Sequence, residues 1–252
     1  MRRLLALLLL LWPLAAEGEE VVAALSQTRV AITTGFTGSE IFVFGATKRE
    51  EPAPADQQLD IVVAVTGPPE PVKLRKKERV AGIWINGEAV QIDSAPSLYV
   101  VATSRPFHEA MSFTDDLRYK VGLENAVRLI DAPLWVEDPD AYRQALMRIR
   151  RDEGLYFVKE GGVDIIEDTL FRATIDLPAK LTEGDYLARI FLLRDRQVLD
   201  VFHTSILVRK VGLERWIYWM ATEMSWLYGL LSIAVALTAG WLASAFFRYF
   251  LP

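Results

Sequence analysis

The chain has 252 residues, with 28 Lys and Arg against 33 Asp and Glu, a net charge of −5, no cysteine and 52% hydrophobic residues. The acidic balance disfavours a nucleic-acid partner. The lack of cysteine excludes disulfides, thiolate metal sites and a thiol nucleophile, so any exported domain must hold by burial alone.

The hydrophobic excess lies mostly at the two ends. Arg2 and Arg3 precede LLALLLLLW, followed by Pro13 and small residues at Ala15, Ala16 and Gly18. That order of charged, apolar and small-residue zones predicts a secretory signal peptide over 1–16; an uncleaved anchor is the alternative, for which the run is short. Residues 28–34, 39–47 and 59–66 are short, β-branched or aromatic runs bounded by Gly, Pro or charge, and read as strands. A polar, Pro-rich loop, KREEPAPADQQ, separates the last two. Next come 71–79, 81–85, a hairpin turn expected at Asn86-Gly87, then 89–92 and 98–103. Together 25–105 form a first β-rich region.

Residues 106–154 read as a helical insertion. Mixed helical spacing covers 106–118 and 123–129, and a better helix covers 138–152. Its cap is Asp138, its first-turn proline Pro139, its apolar face Tyr142, Leu146 and Ile149, and its stop Gly154. Strands resume at 155–158, 163–166, 168–176, 185–194 and 197–209, a second β-rich region over 155–209. Short strands at about ten-residue spacing predict a mainly β, immunoglobulin-like sandwich, as one shared core or two. The pentapeptide KVGLE occurs at 120–124 and again at 210–214, each time where an extended stretch would turn helical; coincidence explains it better than duplication.

The C-terminal end organises the rest. Trp226 to Phe247 is a 22-residue run without charge, about 33 Å as a helix and enough to cross a ~30 Å hydrocarbon layer. Trp216, Tyr218, Trp219, Trp226 and Tyr228 precede it or open it, and Trp241, Phe246, Phe247, Tyr249 and Phe250 close it, as interfacial aromatics do. A buried core helix is the alternative. Leu213, Ile217, Met220, Met224 and Leu227 make 211–225 an amphipathic approach to the 226–247 span, either in the interface or running straight into it. With an exported N-terminus, the domain lies outside the membrane and only 248–252 in the cytoplasm.

VAITTGFTGSEIFVFGA at 30–46, KKERVAGIWIN at 76–86 and KVGLERWIY at 210–218 resemble a family of transmembrane proteins described from alphaproteobacteria, of unassigned function. The resemblance covers nearly the whole mature chain. It implies a signal peptide, a periplasmic domain and one C-terminal anchor, and brings no reaction or catalytic residues. It also implies, weakly, a place beside sulfite- or sulfonate-type anion exporters.

No catalytic set, cofactor or metal site is expected. His108-Glu109-Ala110-Met111-Ser112 begins like a zinc-protease motif, but Ser112 stands where the second histidine ligand belongs. His203 beside Thr204 and Ser205 reads as structural rather than as part of a Ser–His–acid site. Gly35 and Gly38 read as turn glycines, and the pairs Glu50-Glu51 and Asp115-Asp116 as solvated charge. Two patterns remain. Lys73, Arg75, Lys77 and Arg79 would share one face of a strand, with Val72, Leu74 and Val80 on the other. Acidic neighbours or edge protection would explain them; so would a cradle for a small anion, anionic headgroups or an acidic partner. Ser232, Ala236, Gly240 and Ser244 recur at i+4 along the span, a stripe that permits close helix packing. The expectation is an interaction protein, docked by that stripe on an integral-membrane partner or its own copy, without chemistry of its own. The alternative is a periplasmic binding module for an anion or envelope ligand through 73–79.

Overall fold

The computed structural model describes residues 19–49, 57–127 and 138–250. The expected signal peptide, the Glu50-Glu51 pair and the far end of the 123–129 stretch lie outside them. The strands are β1 (Glu20–Leu25), β2 (Arg29–Ile32), β3 (Ser39–Lys48), β4 (Leu59–Thr66), β5 (Pro69–Val80) and β6 (Ile83–Pro96). They continue as β7 (Tyr99–Thr103), β8 (Tyr156–Lys159), β9 (Val163–Ile166), β10 (Leu170–Leu177), β11 (Gly184–Arg194) and β12 (Gln197–Lys210). The helices are α1 (Phe107–Ala110), α2 (Phe113–Tyr119), α3 (Leu123–Ala126), α4 (Pro139–Asp152), α5 (Leu213–Glu223) and α6 (Ser225–Phe250). Only β1 has no counterpart among the strands expected from sequence.

One sheet has the order β1-β3-β10-β9 and a second the order β2-β12-β11-β4-β7-β8. Both contribute to one core: Ile41, Val43, Phe171 and Ile175 from the first, Val63, Val101 and Ile190 from the second. The two β-rich regions of the sequence therefore make one sandwich. In β3 the inward Ile41 and Val43 are fully buried, while Phe42 and Phe44, alternating with them, are 42% and 49% exposed, the period-two pattern of a sheet wet on one side. Strand β4 is different: Leu59 to Val65 are buried without alternation. Such a strand must be covered on both faces. The helical insertion supplies Phe107, Ala110, Met111, Leu123, Leu146 and Met147 to the same core.

The first sheet is antiparallel throughout, whereas the second carries a parallel pair at each edge, β12 with β2 and β7 with β8. Tyr186, buried at the start of β11, donates its hydroxyl to the Thr182 carbonyl at 2.8 Å.

Helix α4 forms as its signals require. Asp138 accepts from the Ala141 N–H at 3.1 Å, Pro139 opens the first turn, and Gly154 ends it at φ +70°. Its buried residues are Leu146 and Met147, with Tyr142 half-buried; Ile149 is 41% exposed, so the inward face is rotated from the expected one. The two KVGLE segments do share a role, since Gly122 and Gly212 both stand at helix N-caps.

Asp115-Asp116 is not solvated charge. Asp116 is buried and accepts from the Val121 and Gly122 N–H groups and the Asn125 amide, and Asp115 accepts from the Val198 N–H at 3.1 Å. Asp60, fully buried at the start of β4, accepts from Ser104 Oγ at 2.7 Å and Arg105 Nε at 2.9 Å, and pairs with Arg105 Nη2. Arg105→Met would leave that carboxylate buried and unpaired, and the midpoint of denaturant unfolding should fall by the equivalent of about 3 kcal/mol. Tyr186→Phe, which removes one buried hydrogen bond, should cost about 1 kcal/mol in the same measurement.

Candidate functional site: a ribbon beside the membrane anchor

The β4–β7 ladder runs from Val62↔Thr103 to Thr66↔Tyr99 and does not stop at the sheet's end. The Gly67 N–H donates to the Leu98 carbonyl at 2.8 Å and the Ser97 N–H to the Pro68 carbonyl at 2.9 Å, and pairing resumes at Pro69↔Pro96. Strands β5 and β6 thus extend β4 and β7 as a two-stranded ribbon ending at Val80↔Ile83. The turn is Ala81-Gly82, with φ of 51° and 84°, the two positive values of a type I′ hairpin. The expected turn at Asn86-Gly87 is not formed. Register inherited from the core ladder fixes where the strands meet, and that overrides the local Asn-Gly preference. Gly87 instead lies at a bulge, where the register shifts between Arg75 and Lys77. A Cβ there would stand 3.1 Å from the Lys76 carbonyl and 2.9 Å from the end of the Glu78 side chain, a tight fit that glycine avoids.

The root of the ribbon is clamped. Glu70 pairs with Arg150 of α4 and accepts from Thr182 Oγ1 at 3.2 Å, while the Tyr156 hydroxyl donates to the Pro96 carbonyl at 2.6 Å. Gly184 abuts Pro68, where a Cβ would come within 2.8 Å. Leu74, Val90, Ile92 and Ala95 are buried. Beyond them everything from Arg75 to Asn86 is exposed. The basic residues identified in the sequence therefore fall on a projection: Lys73, Arg75, Lys77 and Arg79, joined by Lys76, are exposed, and none pairs with a described acid. Val72 and Leu74 turn inward as expected, but Val80 does not.

The tip was not legible as a surface. Val80 is 51% exposed, Ile83 68%, Trp84 66% and Ile85 45%. In sequence AGIWI looks like an ordinary core strand. The signal that could have marked it is the absence of any buried partner run of matching length across KKER.

Direction ties the ribbon to the anchor. Strand β4 is antiparallel to β11, and β11 to β12, so β4 and β12 point the same way. The chain enters the ribbon from the end of β4 and the C-terminal helices from the end of β12. Both therefore leave the same end of the sandwich. Helix α5 follows β12; its Met220 is buried while Trp216, Tyr218 and Trp219 are exposed. The chain breaks at Met224 before α6, so the approach is a separate helix rather than a straight continuation. Residues Ser225–Phe246 are long and apolar enough to cross a membrane, and none of that span is buried within the chain. On α6 the stripe Ser232, Ala236, Gly240 and Ser244 is exposed; Ser232 Oγ donates back to the Tyr228 carbonyl at 2.8 Å, and a Cβ on Gly240 would meet nothing within 4 Å. His108 and His203 both stand at exposed positions, His108 edge-on to Phe107.

The family profile described as "Putative transmembrane protein (Alph_Pro_TM)" matches residues 20–249. The chain belongs to this family. The matched range takes in sandwich, ribbon and span. No curated protein matches the chain. Among solved structures, the crystal structure of Spo0M, a sporulation control protein from Bacillus subtilis, is similar at 10% identity and a TM-score of 0.28. That likeness covers 77% of this chain and 50% of the other, so the chain spans about half that protein's length.

Two buried tyrosines flank the ribbon root. Burial pushes the Tyr99 phenol up to about 12, against the opposing charge of Arg189, and burial likewise raises Tyr156. A raised phenol pKa stabilises the fold fully below the unfolded value near 10 and ceases to do so as pH climbs through the folded one. Thermal unfolding should therefore stay level up to about pH 10 and then fall towards pH 12, with Tyr99 alone removing about 2 kcal/mol.

Proposed function

We propose that the protein is a single-pass, non-catalytic interaction protein of the bacterial inner membrane, with its sandwich in the periplasm and a short tail in the cytoplasm. In this reading it is an accessory subunit of an integral-membrane partner, of which an anion or sulfite-type transporter is the class implied by the family resemblance. The observation that carries the reading is the shared end: anchor and ribbon leave the sandwich together, so the domain presents its projecting element to whatever lies in or on the same membrane. The export orientation rests on the signal-peptide pattern of residues 1–16.

The exposed stripe on α6 supplies a contact surface within lipid, where packing of small residues rather than the hydrophobic effect drives helix association. The test is affinity purification of the full chain from membranes in mild detergent. A multispan protein should co-purify and be lost from a Gly240→Ile variant, whose added bulk projects outward and leaves α6 itself intact. A chain that purifies alone, or a complex indifferent to that change, would overturn the reading.

A second reading, capture of a small anion by Lys73, Arg75, Lys77 and Arg79, is favoured by their exposure without a described ion-pair partner. Sulfate or sulfite should then raise the melting temperature, and Arg75→Glu with Lys77→Glu should abolish that rise.

A further inference from the structure

We infer that the tip of the ribbon is a second membrane contact: Val80, Ile83, Trp84 and Ile85 enter the interface of the bilayer that holds α6, and Arg75, Lys76, Lys77 and Arg79 lie against its anionic headgroups. This rests on the reading that α6 tethers the sandwich to a bilayer.

Three observations carry it. The first is reach. By cross-strand register, Val208 lies opposite Gly184, and Leu187 opposite Thr66, so Lys210 at the end of β12 is nearly level with Pro71 of the ribbon. From there to the turn at Ala81-Gly82 an extended strand covers about 33 Å. From Lys210 to the start of α6, the 11 residues of α5 cover about 16 Å, and the linking residues add about 10 Å. The ribbon is thus long enough to bring its tip to the depth at which the span begins. If α5 lies flat in the interface, the tip arrives sooner.

The second observation is order along the ribbon. The outermost pair is the apolar Val80 and Ile83; Trp84 stands one step back beside Arg79, Ile85 lies opposite Glu78 (the one described acid among them), and Lys77, Lys76 and Arg75 follow towards the root. From tip to root this repeats the order met on leaving a bilayer: acyl boundary, interfacial indole, anionic headgroup. The third is charge placement. The chain is acidic overall at −5, and becomes more so without Arg2, Arg3 and Arg248, yet Arg75, Lys76, Lys77 and Arg79 gather on an element that leaves the sandwich at the anchor's end. A two-residue turn with four apolar side chains is convex and narrow. It suits penetration of a fluid interface better than the broad complementary patch that a stable protein contact needs.

The root clamp gives the contact a consequence. With Glu70 held by Arg150 and Pro96 by Tyr156, a tip fixed at the membrane and an anchor leaving the same end hold the sandwich at two points. A domain on one tether swings, whereas one held at two points keeps a defined face towards its neighbours.

The chain has no cysteine, so a single one can be placed at will. Full-length protein carrying a nitroxide at Ile83→Cys is reconstituted into vesicles of phosphatidylglycerol and phosphatidylethanolamine. A Gln197→Cys label, exposed at the far end of the sheet, serves as control. The Ile83 label should collide with oxygen but several-fold less with a water-soluble nickel complex than the Gln197 label does. Charge reversal at Arg75, Lys76, Lys77 and Arg79, or vesicles of phosphatidylcholine alone, should return it to water. An Ile83 label as open to nickel as the control, in protein that stays integral to the vesicles, would overturn the inference while leaving the tether intact. Protection that vanishes at one chain per vesicle would mean a second copy occupies the tip, and would overturn it too. Protein that washes out of the vesicles would instead sink the tether on which both readings stand.

Discussion

Burial of β4 and β7 on both faces is the constraint from which the rest of the structure follows. Residues 59–65 are closed to solvent without alternation, and Tyr99 to Thr103 are buried throughout. Two apolar faces need two covers. The four-stranded sheet covers one and the helical insertion joins the core from the other side, so the insertion between β7 and β8 is part of the domain's closure. The cost of placing a charge there is met at once: Asp60, at the buried start of β4, sits in a ring of donors from Ser104 and Arg105. Removing the arginine would leave a buried carboxylate without its charge partner, which is strongly destabilising.

The same pair of strands generates the projecting element. A ladder that begins in a tightly packed sheet has its register set by packing, because a one-residue slip would send every inward side chain outward. Carried past the end of the sheet, that register determines where the ribbon turns and which residues reach its tip. Two bulges absorb the mismatch on the way, one of them at Gly87. The ribbon's position relative to the anchor is likewise inherited, since strand direction in the sheet places both exits at one end.

Much of this was legible in the residues. The apolar run at 226–247, flanked by aromatics, has one stable solution in lipid, and periodicity alone found nearly every strand and the cap, proline and glycine of α4. The places where the reading failed share a cause. Asn86-Gly87 has the better local turn chemistry, yet Ala81-Gly82 turns, because a ladder some twenty residues away decides the register. Asp115-Asp116 has the composition of surface charge, yet Asp116 is buried because three donors of the following loop converge on it. Ile149 fits the helical stripe, but the helix presents Met147 instead.

The sequence by itself determined the membrane span, the β character of the domain, the position of the insertion and the presence of a basic strand, since each depends on the period or composition of a contiguous stretch. Only the tertiary structure decided that the two β-rich regions share one core, that the basic strand leaves the domain, and that AGIWI is exposed. Those depend on which distant segments cover one another. An apolar residue carries the same transfer free energy wherever it lies in the chain, and whether it is spent in a core or left bare at a tip is settled by what packs against it.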